Sequence, residues 1–230
     1  MDDFTKSFNF FKAKLEAGDP FALARFGDGE LNILRGEKIG NKEFQYDGDE
    51  EFSSMLMDAF TFRHPDYYVG IGCPCCIGDK DFRWMRDTSG QNADHITYNN
   101  IFVNANYRRF KNEIDPIFME RNAIFIGPEE GRAELEYSYE VTFSIHKNAW
   151  RFAEEYVLKL EKLIANKPLP RIYLFSAGPL SEVLIHRAVE INPNNTYIDI
   201  GSTLDPIIFG HSTRQYHQGF GTADKVCHWG

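Results

Sequence analysis

The stretch Phe21-Ala22-Leu23-Ala24-Arg25-Phe26-Gly27-Asp28-Gly29-Glu30-Leu31 sets the fold and the chemistry together. Its first six residues are apolar but for one arginine. Gly27-Asp28-Gly29 then stops the run, which reads as a short strand giving way to a helix. Further apolar runs at 67–71, 122–126, 172–175 and 196–200 predict strands of the same kind. Each is followed by glycine, mostly with an acid or hydroxyl beside it: Gly72, Gly127-Pro128-Glu129-Glu130, Ser176-Ala177-Gly178-Pro179 and Asp199-Ile200-Gly201-Ser202. Turns explain the glycines but not the recurring acids.

Helical periodicity fills the intervals. Phe8, Phe11 and Leu15 mark an opening amphipathic helix ending at Gly18, and a second helix is expected over 50–62. Ala149, Phe152, Ala153, Tyr156, Val157 and Leu160 share one face of a helix over 149–164, and another runs through Leu184 and Ala188. Strands alternating with helices predict an α/β protein with a mainly parallel sheet, in which ligands bind beyond the carboxyl ends of the strands. No linker, repeat or low-complexity tract interrupts the chain, so residues 1–230 are read as one catalytic domain.

Composition excludes several classes. Lys+Arg 25 against Asp+Glu 34 gives a net charge of −9, which argues against nucleic acid and anionic lipid as partners, since both demand basic surface. No apolar run approaches the roughly 20 residues of a membrane span. The opening Met1-Asp2-Asp3 lacks the basic and apolar regions of a signal peptide, so the reading is cytoplasmic. Three of the four cysteines crowd into Gly72-Cys73-Pro74-Cys75-Cys76 and are read as reduced thiols. A zinc site joining them to Cys227 and His228 is the alternative, set aside because the cluster is read as lacking paired C-x-x-C spacing. Aromatic residues form 15% of the chain, enough to fill a core or to stack on bases and sugars.

Asp28 and Glu30 carry the sharpest hypothesis. As a helix N-cap and a first-turn acid they need no further function. Across a glycine turn, however, two carboxylates can converge on a hard cation such as Mn2+ or Mg2+, which keeps positions open for phosphate oxygens. Arg25, just before the turn, could then hold a phosphate in bidentate fashion.

The stretch 21–31 resembles the signature of the GT-D-type glycosyltransferases, in which an Asp-x-Glu pair replaces the Asp-x-Asp of GT-A enzymes. Asn99-Asn100-Ile101-Phe102-Val103-Asn104, Phe175-Ser176-Ala177-Gly178-Pro179 and Ile198-Asp199-Ile200-Gly201-Ser202 are similar to the family's other segments, so the likeness runs from about Phe21 to about His217. The resemblance implies a Rossmann-like, GT-D-like sheet with helices on both faces. It also implies transfer of a sugar from a nucleoside diphosphate, such as UDP-glucose or a related UDP-sugar, to a glycan acceptor in polysaccharide or glycoprotein assembly. Asp28 and Glu30 would hold the divalent cation, and Arg25 with Gly27 would face the diphosphate. Ser176, Ala177 and Gly178 would receive the nucleotide through backbone N–H groups at a helix start.

An inverting transferase needs a carboxylate to take the acceptor's proton. Asp199, Glu130 and Asp205 are the candidates, with Glu129 beside them; Asp199 stands out because an idle carboxylate in an apolar strand is costly, and a contact to the nucleotide or around the metal suits it as well as a base role. Arg214 and His217, in the Gly-bounded segment 210–221, could close over the diphosphate, although an ordinary surface tail explains them as well. A homodimer is compatible with this reading. The alternatives are a metal-dependent phosphoesterase or phosphoryl-transfer enzyme, and a non-catalytic nucleotide- or carbohydrate-binding module.

Overall fold

The computed structural model describes residues 4–40, 44–136 and 138–218. Side chains alternate across a strand, and β1 (Ala22–Phe26) sends Ala22, Ala24 and Phe26 into one core while Leu23, with neighbouring Phe21, enters another. A strand buried on both faces has to lie inside a helix-covered sheet. The remaining strands are β2 (Ile39–Gly40), β3 (Gln45–Tyr46), β4 (Tyr67–Ile71), β5 (Ile96–Tyr98), β6 (Ile124–Gly127), β7 (Glu140–Ser144), β8 (Ile172–Phe175) and β9 (Thr196–Asp199). Seven form one sheet in the order β5-β4-β1-β9-β8-β6-β7, and β2 with β3 makes a small antiparallel ribbon. Every pairing in the large sheet is parallel, so the expected mainly parallel, Rossmann-like architecture is present in full.

On one face pack the helices Glu50–Thr61, Ala153–Ala165 and Leu180–Ile191, through Phe52, Leu56, Tyr156, Leu160, Val183 and Leu184. The helix Phe4–Ala17 covers the other with Phe8, Phe11 and Leu15, joined by Phe110, Ile114 and Phe118. Tyr67, Tyr98, Tyr156, Tyr173 and Tyr197 are fully enclosed, so much of the aromatic excess is core. None of the described helices is long and apolar enough to cross a membrane.

Two expectations need correction. The predicted helix over 149–164 begins as a tight 3-10 turn, Ala149–Phe152, and Phe152 is exposed rather than facing the core. β5, β7 and the β2–β3 ribbon were not anticipated. β5 is three residues long, and β7 is a half-buried outer strand carrying Glu140 and Thr142, so neither shows a strong apolar run.

The sheet order places the site. From β1 the chain winds outward through β4 to β5, and the later strands occupy the other side, with β9 returning beside β1. The β1–β9 junction is therefore the point where winding direction changes. β1 pairs with β9 only at Ala22–Tyr197 and Leu23–Ile198, so the carboxyl ends of the two strands part and open a crevice.

Candidate active site

Arg25 and Asp199 meet in that crevice. Arg25 Nε donates to Asp199 Oδ2 at 3.1 Å, and its Nη1 donates to the Asn99 carbonyl at 3.0 Å. Asp199 Oδ1 accepts from the Gly201 backbone N–H at 2.8 Å. Both residues are more than nine-tenths buried, so each charge needs the other. Arg25 is thus the counter-ion of Asp199, and both Asp199 oxygens are engaged within the fold.

Asp28 and Glu30 open the helix Asp28–Leu34. Glu30 Oε2 turns back to accept from the Gly27 N–H at 2.7 Å, satisfying a helix-start donor. Asn99 Nδ2 donates to the Phe26 carbonyl at 3.2 Å and closes the turn from the β5 side. Burial pushes the Glu30 carboxyl up to about 7 against the pull of that hydrogen bond, and the nearby charges of Asp199 and Asp28 add to the rise. Asp28 is exposed.

A further carboxylate, Glu182, lies in the first turn of Leu180–Ile191. It is 1% exposed, and its Oε2 has no hydrogen-bond partner among the described residues. Burial pushes its carboxyl well above the usual range, with Asp199 and Glu30 raising it further and Arg25 opposing. Sequence reading passed over Glu182 because an acid in a first helical turn is ordinary. The signal was its position three residues after Pro179, directly before the apolar run Val183-Leu184-Ile185.

Two cavities share this floor. The larger, about 1020 Å³, is lined by Asp28, Glu30, Ser176, Ala177, Gly178, Glu130, Asp205, Arg214, Phe44 and Trp150 among others. The smaller, about 360 Å³, is lined by Arg25, Gly27, Asp28, Glu30, Asn99, Asn100, Gly178, Glu182, Asp199 and Tyr216 among others. Asp28, Glu30 and Gly178 belong to both and form the divide between them.

The other candidates separate. Ser176 N donates to the Ile126 carbonyl at 2.9 Å, its hydroxyl to the Gly201 carbonyl at 3.0 Å, and Ala177 N to Ser181 Oγ at 3.0 Å. Those two N–H groups are thus tied inside the fold rather than offered to a nucleotide, and Gly178, at φ +57°, is the turn residue reaching both cavities. Asp205 is buried and accepts the Thr213 hydroxyl, whereas Glu130 is exposed on the cavity wall. Within the tail-like segment, Tyr216 and His217 are docked against the fold. Tyr216 OH meets Ser202 Oγ at 2.5 Å, and His217 Nε2 lies 2.9 Å from the Ser202 carbonyl. Arg214 lines the larger cavity, whereas His217 lines neither and packs on Tyr107 and Tyr216. Cys227, His228 and the glycines 219 and 221 lie outside the described residues.

Asp28, Glu30 and Glu182 are oxygen donors of the kind a hard divalent cation takes, and they line one cavity with Asp199 and with Arg25, the sole cationic side chain among its lining residues, although their oxygens do not converge within 4.8 Å as a set. An enclosed carboxylate oxygen with no partner is the kind of group a metal ion satisfies.

No protein-family model and no curated protein matches the chain. Solved structures do. A selenomethionine-substituted structure of domain of unknown function 1792 superposes with TM-score 0.62 at 16% identity, covering 99% of this chain and 89% of that one. A second structure, with the same figures, is described as showing that this domain has a distinct glycosyltransferase fold. A third, described as a new glycosyltransferase of the same domain class from Streptococcus sanguinis, gives 0.59 at 16% identity over 98% of this chain and 92% of that one. At such identity the likeness establishes a shared fold.

Proposed function

We propose that this chain is a metal-dependent glycosyltransferase that moves a sugar, with inversion, from a nucleoside diphosphate donor, first among them a UDP-sugar, to a carbohydrate acceptor. The observation that carries the reading is the divide between the cavities, where Asp28 and Glu30 line both spaces and Glu182, with an unsatisfied oxygen, lines the smaller one. The fold shared with domains described as glycosyltransferases supports it. The size of the larger cavity does too: about 1020 Å³ lies at the top of the roughly 300–1,000 Å³ range of small-molecule sites, leaving room for donor and acceptor together.

Asp28, Glu30 and Glu182 would hold Mn2+ or Mg2+. When bound, the ion neutralises charge on the departing diphosphate. Arg25, fixed by Asp199 and Asn99, adds positive potential at that end of the cavity. Asp205, oriented by Thr213, and Glu130 are the carboxylates left on the larger cavity to accept the acceptor's hydroxyl proton. Phe44 and Trp150 supply apolar wall for a base or sugar ring.

The test is UDP release from a panel of UDP-sugars with Mn2+ and mixed glycan acceptors. Asp28→Ala is expected to lower turnover at least a hundredfold, and EDTA to abolish it. Turnover that ignores both would overturn the reading. Phosphate release from simple esters without acceptor would instead favour the phosphoesterase alternative.

A further inference from the structure

A second cluster of ligand-type side chains stands apart from the carboxylates. The chain leaves β4 at Ile71 and turns at once, because Ile77 folds back over Gly72 so closely that a Cβ there would lie 2.6 Å from it. Pro74 opens a single helical turn, Pro74–Ile77, in which Cys76 N and Ile77 N donate to the Cys73 carbonyl at 2.9 and 3.1 Å. Residues three apart on a helical turn lie one above the other, so Cys76 comes over Cys73. Contrary to the expectation of no such pair, these two cysteines have C-x-x-C spacing, with Pro74 and Cys75 between them. Cys75 leans in as well, its Sγ 2.9 Å from that of Cys73. All three sulfurs lie within 4.8 Å of one another, the set among the described residues that converges this far. Cys73 is fully buried at the floor, while Cys75 and Cys76 are exposed at the mouth.

We propose that Cys73, Cys75 and Cys76 form a binding site for a soft divalent cation of the zinc class, held by three thiolates with the fourth position open to water. Thiolates are soft ligands that select such ions over Mn2+ and Mg2+, so this site and the carboxylate floor take different metals. Tetrahedral bonds of about 2.3 Å place sulfurs on one zinc about 3.8 Å apart. The three sulfurs already lie within 4.8 Å of one another, and exposed Cys75, 2.9 Å from Cys73, has only to swing outward. Asn100 supplies the supporting contact: its Nδ2 lies 3.8 Å from Cys76 Sγ, and Asn100 also lines the smaller cavity. Its neighbour Asn99 holds Arg25 and the Phe26 carbonyl. The thiol site therefore abuts the wall of the carboxylate cavity.

Cadmium titration of the full chain, reduced and stripped of metal, tests this through the ultraviolet thiolate-to-cadmium absorption. Absorption is expected to rise to one equivalent and to be displaced by zinc. Cys75→Ser/Cys76→Ser, at exposed positions, is expected to weaken uptake at least tenfold while circular dichroism stays unchanged. Asp28→Asn is expected to leave the absorption as it is, separating this site from the carboxylates. Three results would overturn the proposal: no absorption at one equivalent, absorption that survives the double serine variant, or thiols found oxidised to a disulfide that take up no cadmium after reduction.

Discussion

Glu30 titrates where few carboxylates do, and the direction of its stability effect follows. Its carboxyl sits near 4.5 in an unfolded chain and is pushed up to about 7 by burial in the fold. Between those values the folded protein keeps a proton that the unfolded chain has lost, so stability declines as pH rises through that window and then levels off. Glu30→Gln cannot titrate and can still accept from the Gly27 N–H. The variant is expected to gain melting temperature over the wild type between pH 5 and pH 8, with the two close together at pH 5. A gap independent of pH would show that Glu30 is not protonated in the fold. The same proton competes with a cation: Mn2+ affinity is expected to rise with pH through about 7 in the wild type. Isothermal titration at pH 6 and pH 8 measures it, and equal affinities would remove Glu30 from the ligand set.

Strand ends carry the next level of organisation. Gly27, Asp28 and Glu30 were legible because a glycine turn with two acids after an apolar run is unusual locally. The Arg25–Asp199 pair was not legible, because its partners lie 174 residues apart and meet only once the sheet order sets β9 beside β1. Likewise the turn itself does not show that Ser176 N and Ala177 N are taken up by the Ile126 carbonyl and Ser181 Oγ. The apolar runs of β1, β4, β8 and β9 announced themselves; β5 and β7, shorter or more polar, did not. The ion pair joins two strands where their ladder has ended, so its loss should be felt as stability. Asp199→Ala strands a buried guanidinium and is expected to destabilise the protein by about 3–5 kcal/mol, read from urea unfolding. A loss below about 1 kcal/mol, as for an exposed pair, would mean that water solvates the stranded Arg25 as it does a surface side chain.

Over the whole molecule the acid surplus acquires a specific meaning. A net charge of −9 repels a diphosphate in general, and the smaller cavity does little to offset that bias, since its one arginine is already paired with Asp199. A nucleoside diphosphate entering without a cation would meet like charge at close range, and a cation alone would lack the phosphate oxygens that complete its shell. Each ligand should therefore strengthen the other, and by linkage the factor must be the same in both directions. The measurement is thermal unfolding with Mn2+, with UDP, and with both. Ligand at 100 times its dissociation constant adds about 2.7 kcal/mol, and for a chain of this length each kcal/mol raises the melting temperature by about 2–4 °C. The pair together is expected to shift the melt by about 5–10 °C, well beyond the sum of the separate shifts, and Asp28→Ala should remove the excess. A UDP shift of full size in EDTA would show that the cavity binds the nucleotide through something other than its carboxylates, and the metal-dependent reading would fail with it.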